Sequence, residues 1–207
     1  MPILRQPAVH TQPATRQMTT KEHILKAARQ VFERFGFNKA SMADIAHMSR
    51  KGRRTIYTHF SSKEAVFKAV IDKEVSALAN QLRGVTQRPV SAEEKLRLYM
   101  HTRMNAVREL TVYYDALRQD LVNNMGIVEQ LREEYDAMEV AMIREILDEG
   151  NASGTFAIDD THLVAEAIVT ATKGFELPIF MGRSDFDHKR LIDPLISLLY
   201  TGIKNNA

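Results

Sequence analysis

The sequence predicts an all-α fold of about nine helices, with a helix-turn-helix in an N-terminal three-helix domain and a larger helical domain behind it. Three observations predict it. Apolar residues recur at three- and four-residue spacing almost throughout, which gathers them on one face of a helix. Alternating β-branched runs, the mark of strands, are missing. Pairs of Ser or Thr with an acid three residues later stand ahead of several apolar runs, as capping boxes do.

The first helix starts at the Thr19/Glu22 pair and buries Ile24, Ala27, Ala28, Val31, Phe32 and Phe35. Gly36 ends it, since glycine takes the left-handed conformation cheaply, and Phe37 folds back onto the stripe. Ser41 and Asp44 cap a short second helix carrying Ile45, Ala46 and Met48. The turn Ser49-Arg50-Lys51-Gly52 leads into a third helix that ends near Phe60. Ser61 and Glu64 open a longer helix through Val66, Val70, Val75, Leu78 and Leu82, which the stretch Gly84 to Pro89 breaks. Ser91 and Glu94 begin the next, and further helices are predicted over 91–108, 111–123, 127–149, 160–181 and 187–204. Loops are expected at Gly150 to Gly154 and at Arg183 to Phe186. Three parts follow: a flexible tail over 1–18, a helix-turn-helix domain over 19–84 and a second domain over 85–207.

Composition narrows the class. The 207 residues are 44% apolar and 26% charged, with no apolar run of the roughly 20 residues a membrane helix needs. The tail carries Pro2, Pro7 and Pro13 and no continuous apolar stretch, so it does not read as a secretory signal. Cysteine is absent, which excludes disulfides and Cys-based zinc sites and fits the cytoplasm. The net charge of +2 conceals a division: residues 1–74 hold 14 Lys/Arg against 6 Asp/Glu, and residues 75–207 hold 14 against 20. A basic module for a polyanion and a neutral-to-acidic remainder are implied.

The basic module has the parts of a groove reader. Two short helices joined by a four-residue turn form a helix-turn-helix. On the second, Ile56 and Phe60 lie four apart and face inward, so the opposite face holds Arg54 and Thr58, flanked by Thr55 and Tyr57. A guanidinium can fork onto guanine, a threonine offers a hydroxyl and a methyl, and a phenol can reach phosphate. Arg50, Lys51, Arg53 and Arg54 cluster with no acid among them, beside a helix N-terminus whose free N–H groups suit phosphate. Lys63, in the first turn of the next helix, is expected against the flanking phosphates.

The run from Ile24 to Lys73 resembles the N-terminal domain of TetR-family transcriptional regulators. The matching pieces are Ile24-Leu25-x-Ala27-Ala28-x-x-x-Phe32-x-x-x-Gly36-Phe37, Ser41-Met42-x-Asp44-Ile45-Ala46 and Thr55-Ile56-Tyr57-x-His59-Phe60-x-Ser62-Lys63-Glu64. The resemblance implies a DNA interface of Ser41, Met42, Arg50, Lys51, Arg53, Arg54, Thr55, Tyr57, Thr58, His59 and Lys63. One stretch departs from the pattern: where the family reads Ala-Gly-Val-Ser-x-Gly, this chain has Ser49-Arg50-Lys51-Gly52-Arg53-Arg54. Arginine thus stands at position 50, where a positive φ is expected, and Gly52 stands where a capping serine would be.

The same resemblance implies a C-terminal domain that dimerises and binds a small effector, so the partners expected are double-stranded DNA, an effector and a second copy of the chain. Val164, Ile168, Ala171, Leu191, Leu195, Leu198 and Leu199 are the expected dimer contacts, the last helix being too apolar all round for a free surface helix and the one before it carrying residues small enough for close helix approach. Met100, Met104, Tyr113, Tyr114, Tyr135, Met138, Met142 and Phe175 are the expected effector contacts, an apolar and aromatic set that favours a hydrophobic or aromatic guest.

Other functions find less support. A carboxylate-bridged metal enzyme would use the pairs Asp44/His47, Asp159/His162 and Asp185/His188, but such bundles want Glu-x-x-His pairs with further inward glutamates, and each aspartate stands near a helix start. No catalytic triad order, phosphate-cradling glycine loop or zinc spacing is present, so neither an enzyme nor a cofactor is expected. A membrane-surface module would want large apolar side chains beside the cations, where Tyr57 and Thr58 stand instead. A DNA-binding regulator or activator without an effector keeps the same fold.

Overall fold

The computed structural model describes residues 18–113, 125–180 and 187–204. Eight helices form among the described residues: α1 Thr20–Lys39, α2 Met42–Ser49, α3 Arg53–His59, α4 Lys63–Thr86, α5 Ala92–Tyr113, α6 Met125–Ala152, α7 Thr161–Phe180 and α8 His188–Ile203. The helix expected over 111–123 lies beyond Tyr113 outside the described residues, as do the tail up to residue 17 and the loop from Arg183 to Phe186.

Two apolar cores organise these helices. The first joins Ile24, Ala28, Val31 and Phe32 of α1 to Ile45 and Ala46 of α2, Ile56 of α3 and Val66, Phe67 and Val70 of α4. Its centre is aromatic. Phe67 stands edge-on to Phe32 at 5.3 Å between ring centroids and 4.9 Å from Phe37. Gly36 makes this possible: with φ 74° and ψ 173° it redirects α1 for one last turn, and Phe37 folds inward as the sequence predicts. Phe35, by contrast, faces outward rather than joining the stripe.

The second core collects Leu82 and Val85 of α4, Leu96, Tyr99, Met100 and Met104 of α5, Met142, Ile143, Ile146 and Leu147 of α6, Ala165, Ile168 and Val169 of α7, and Ile192 and Ile196 of α8. One helix therefore belongs to both cores. α4 enters the first with Val66, Phe67 and Val70 and the second with Leu82 and Val85.

Several helix ends differ from the sequence expectation, each for a packing reason. Ser62 rather than Ser61 caps α4, its Oγ accepting the Ala65 N–H at 3.2 Å. Gly84 does not break α4, because buried Leu82 and Val85 on either side hold the helix as far as Thr86. Gly150 likewise lies inside α6, which runs on to Ala152. The ring of Phe156 packs directly on Gly150, so a Cβ there would stand 2.0 Å from the ring. The turn that follows is tied by Asn151, whose side chain accepts the Ile158 N–H at 3.1 Å and donates to the Ile158 carbonyl at 2.7 Å. Ala157 N–H then bonds the Ile203 carbonyl at 2.9 Å, fastening the end of α8 to this turn.

Gly150→Ala is expected to destabilise the protein by about 1–3 kcal/mol, because a methyl group must displace the Phe156 ring from a filled site. Urea unfolding followed by circular dichroism checks it.

Candidate nucleic-acid interface

The short helices α2 and α3 owe their existence to their ends and to the core beneath them. At the start of α2 the Ser41 Oγ accepts the Asp44 N–H at 3.2 Å, while the Asp44 carboxylate accepts the Ser41 N–H at 2.9 Å. The Ser41 hydroxyl, and next the Ser41 N–H, hold the Asp44 carboxyl below its ordinary value. Asp44 is thus spent on the cap. Ile56 is fully buried and Phe60 nearly so, which fixes the roll of α3.

The turn between them is strained at one residue. Arg50 has φ 53° and ψ 36°, the one non-glycine residue with a positive φ among those described. The N–H groups of Arg50 and Lys51 bond back to the carbonyls of His47 and Ala46 at 3.2 and 3.1 Å, closing α2 with a left-handed residue. For an L-residue other than glycine or asparagine this conformation costs about 1–2 kcal/mol. Gly52, two residues on, has an ordinary extended backbone with φ −62° and ψ 146°, and caps α3 without a side-chain hydrogen bond. The flexible residue and the strained position do not coincide.

With Ile56 turned inward, Arg53, Arg54, Tyr57, Thr58 and His59 are exposed, and Thr55 is half-buried at the edge. The Thr58 hydroxyl donates to the Arg54 carbonyl at 2.9 Å, which leaves its oxygen able to accept. Arg50 is exposed and Lys51 half-buried beside the N-terminus of α3. None of these four cations has an ion-pair partner among the described residues.

Two expected contacts have other occupations. Met42 is buried in the first core, because its position in the first turn of α2 points it beneath the motif. Lys63 turns back toward the end of α1: its ammonium donates to the carbonyls of Phe37 at 2.8 Å, Ala40 at 3.1 Å and Asn38 at 3.4 Å. It also lies 4.4 Å from the centre of the Phe37 ring. An ammonium has three donors, and here all three are engaged within the protein. Lys63 is a strut between α4 and the α1–α2 junction.

The C-terminal candidates divide as well. Met100, Met104 and Met142 are fully buried in the second core, Tyr135 and Phe175 are half-buried and Met138 is exposed. Tyr114 and the Tyr113 side chain lie outside the described residues. Of the expected dimer contacts, Ile168 is buried within the chain, so it is core. Leu191 and Leu198 are 43% and 72% exposed, Ala171 is exposed, and Val164, Leu195 and Leu199 are half-buried against the core. Leu163, not singled out by its spacing, is 61% exposed on α7.

Among the described residues no group of three or more His, Asp or Glu stands where it could hold a metal ion. Asp160, not Asp159, caps α7 by accepting the Leu163 N–H at 3.0 Å, and His162 stands 3.5 Å from Glu166. Asp187 caps α8, while Asp185 and the His188 side chain lie outside the described residues.

The chain is similar to known proteins in sequence and in fold. Residues 24–70 match the family described as "Bacterial regulatory proteins, tetR family", and residues 92–190 match "Tetracyclin repressor-like, C-terminal domain". The chain is 24% identical to the HTH-type transcriptional regulator QacR of Staphylococcus aureus, over 88% of this chain and 93% of that protein. It is 30% identical to the HTH-type transcriptional repressor NicS of Pseudomonas putida, over 75% and 73% of the two chains. Among solved structures, a transcriptional regulator from Cytophaga hutchinsonii superposes with a TM-score of 0.74 at 23% identity, covering 87% of this chain and 96% of that one.

Arg50 and Lys63 should now part company in experiment. Arg50→Gly is expected to raise stability by up to about 1 kcal/mol as the left-handed strain is relieved. It should also weaken duplex binding and lower the salt slope by about one ion. Lys63→Met is expected to cost about 1–3 kcal/mol of stability by removing the ammonium that bonds the carbonyls of Phe37, Asn38 and Ala40, with the salt slope unchanged. Urea unfolding and fluorescence anisotropy on labelled duplex DNA across salt concentrations measure both.

Proposed function

The chain belongs to the tetR family of bacterial regulatory proteins and is a helix-turn-helix DNA-binding transcriptional regulator, and on that footing we propose a homodimeric repressor released from a pseudo-palindromic operator by a small effector. The observation that carries the DNA-reading part is the exposed face of α3, where Arg54, Tyr57 and Thr58 stand together opposite buried Ile56. Arg50, Lys51 and Arg53 hold the phosphates on either side of it, with the Ser41 end of α2 facing the same backbone. The repressing direction follows the Pseudomonas putida relative, which is described as a transcriptional repressor.

The second copy is supported by what α7 and α8 leave exposed. On α8 the buried residues are Ile192, Ile196 and Ile203, while Leu191 and Leu198, seven residues apart, stand in solvent on another face. On α7 exposed Leu163 is followed at helical spacing by exposed Ala167, Ala171 and Gly174, small enough for another helix to approach closely. Pairing these faces in two copies would bury them and set two α3 helices apart by one turn of DNA, about 34–36 Å. Among the described residues no helix is long and apolar enough to cross a membrane.

Release follows from α4. An effector seated in the second core that favours a different packing of Leu82 and Val85 tilts the helix whose other end carries the first core. It frees the DNA only to the extent that it prefers that packing, and an almost complete switch needs about 5.5 kcal/mol of preference.

Arg54→Ala is expected to relax sequence preference at one base pair in each half-site, at a cost of about 1–3 kcal/mol for the preferred duplex. Binding to nonspecific duplex should fall far less. Anisotropy titrations with duplexes varied one pair at a time read this; a uniform loss over all sequences would move Arg54 to the phosphate set.

A further inference from the structure

Arg50, Lys51 and Arg53 all stand at the N-terminal end of α3. The other end is supplied differently. Lys63 follows closely after the cap residue Phe60, but its ammonium already donates to the carbonyls of Phe37, Ala40 and Asn38. Lys21 reaches this end from α1. It is exposed in the first turn of that helix, and its ammonium lies 5.8 Å from the centre of the Phe60 ring.

The two lysines are held in different ways, and the difference decides what each can still bind. Carbonyl oxygens take the N–H groups of Lys63 one by one. A ring face instead attracts an ammonium as a whole, within roughly 6 Å, and leaves its donors for another acceptor. Phe60 therefore positions Lys21 without using it up. No carboxylate among the described residues pairs with Lys21. The adjacent acid, Glu22, is turned to the helix cap, where it accepts the Thr19 N–H at 2.7 Å. Residues 1–21 hold Arg5, Arg16 and Lys21 and no Asp or Glu. Phe60 is only 6% exposed and belongs to the first core, so the ring that draws Lys21 is fixed with respect to α3.

A helix seated in the major groove runs between two sugar-phosphate backbones, and contacts to them set its register. We propose that Lys21 is one of these contacts: held over Phe60 at the C-terminal end of α3, it binds a DNA phosphate in the place that Lys63 was expected to fill. The inference rests on the reading of α3 as the groove-facing helix and adds a residue of α1 to that interface. A phosphate contact carries no base preference, so its loss weakens all sequences alike.

The test is fluorescence anisotropy of the full-length protein on a labelled random-sequence duplex, between about 50 and 200 mM salt. Lys21→Met, Lys21→Arg and Lys26→Met are compared with the wild type. Methionine keeps a flexible apolar chain against the Phe60 ring, so Lys21→Met is expected to melt near the wild-type temperature. It should lose about three- to tenfold in affinity at the lowest salt and flatten the salt slope by about one ion. Lys21→Arg keeps a cation over the ring and should restore both. Lys26→Met removes the same charge from another side of α1, about 140° round the helix, and should bind as the wild type does. An unchanged slope in Lys21→Met, whatever its melting temperature, would overturn the proposal and leave Lys21 a prop for Phe60. So would an equal loss in Lys26→Met, the mark of overall charge rather than a placed contact, or no recovery in Lys21→Arg. Wild-type binding beside any of these failures overturns this inference alone, whereas no duplex binding by the wild type overturns the reading of α3 itself.

Discussion

Among the described residues, α4 is the helix that contributes buried side chains to both cores. Its first half completes a small core built on Phe32, Phe37 and Phe67, and its last turns complete a larger one through Leu82 and Val85. A helix held at both ends by buried side chains cannot shift in one core without being felt in the other, because packed interiors do not deform continuously. The two short helices of the motif have no such anchorage of their own. They are held by Ile45, Ala46 and Ile56 in the core they share with α1 and α4, with α2 packed on α1 and α3 on α2. The Lys63 ammonium strengthens this link, since it fastens the first turn of α4 to the carbonyls where α1 hands over to α2.

The surface that this scaffold presents is unusual in one respect. A strained Arg50 and an unstrained Gly52 share a three-residue turn, although exchanging the two roles would remove the strain. Backbone strain of this kind persists where the side chain has a task. Four cations at the start of a helix, with no ion-pair partner among the described residues, are unfavourable to one another until a polyanion arrives. The backbone strain and the unpaired positive charge thus meet at one turn.

What could be read from the sequence was whatever depends on neighbours a few residues away. The Ser41–Asp44 cap, the inward pair Ile56 and Phe60 and the turn at Gly36 are all local, and all stand in the structure as expected, whereas the left-handed position 50 was legible only through the family resemblance. Features that depend on distant partners were not legible. Lys63 looks like a phosphate contact until Phe37 and Ala40, more than twenty residues earlier, are seen to take its protons. Gly150 looks like a loop residue until the Phe156 ring is found on it. Ile168 and Leu163 both fit an apolar helix, and only the packing of α7 shows which is core and which is surface. Lys21 was missed for the same reason, since the Phe60 ring that it stands over comes much later in the chain. A faint signal was available: residues 1–21 carry basic side chains and no acid.

The central claim is that the exposed face of α3, doubled by a second copy, reads DNA sequence. Selection of bound duplexes from a random-sequence library, at near-physiological salt, tests it most directly. The account expects enrichment of an inverted repeat whose half-sites lie about 10 base pairs apart, or a multiple of that, centre to centre. Binding without enrichment, or enrichment of a single unrepeated site, would contradict it.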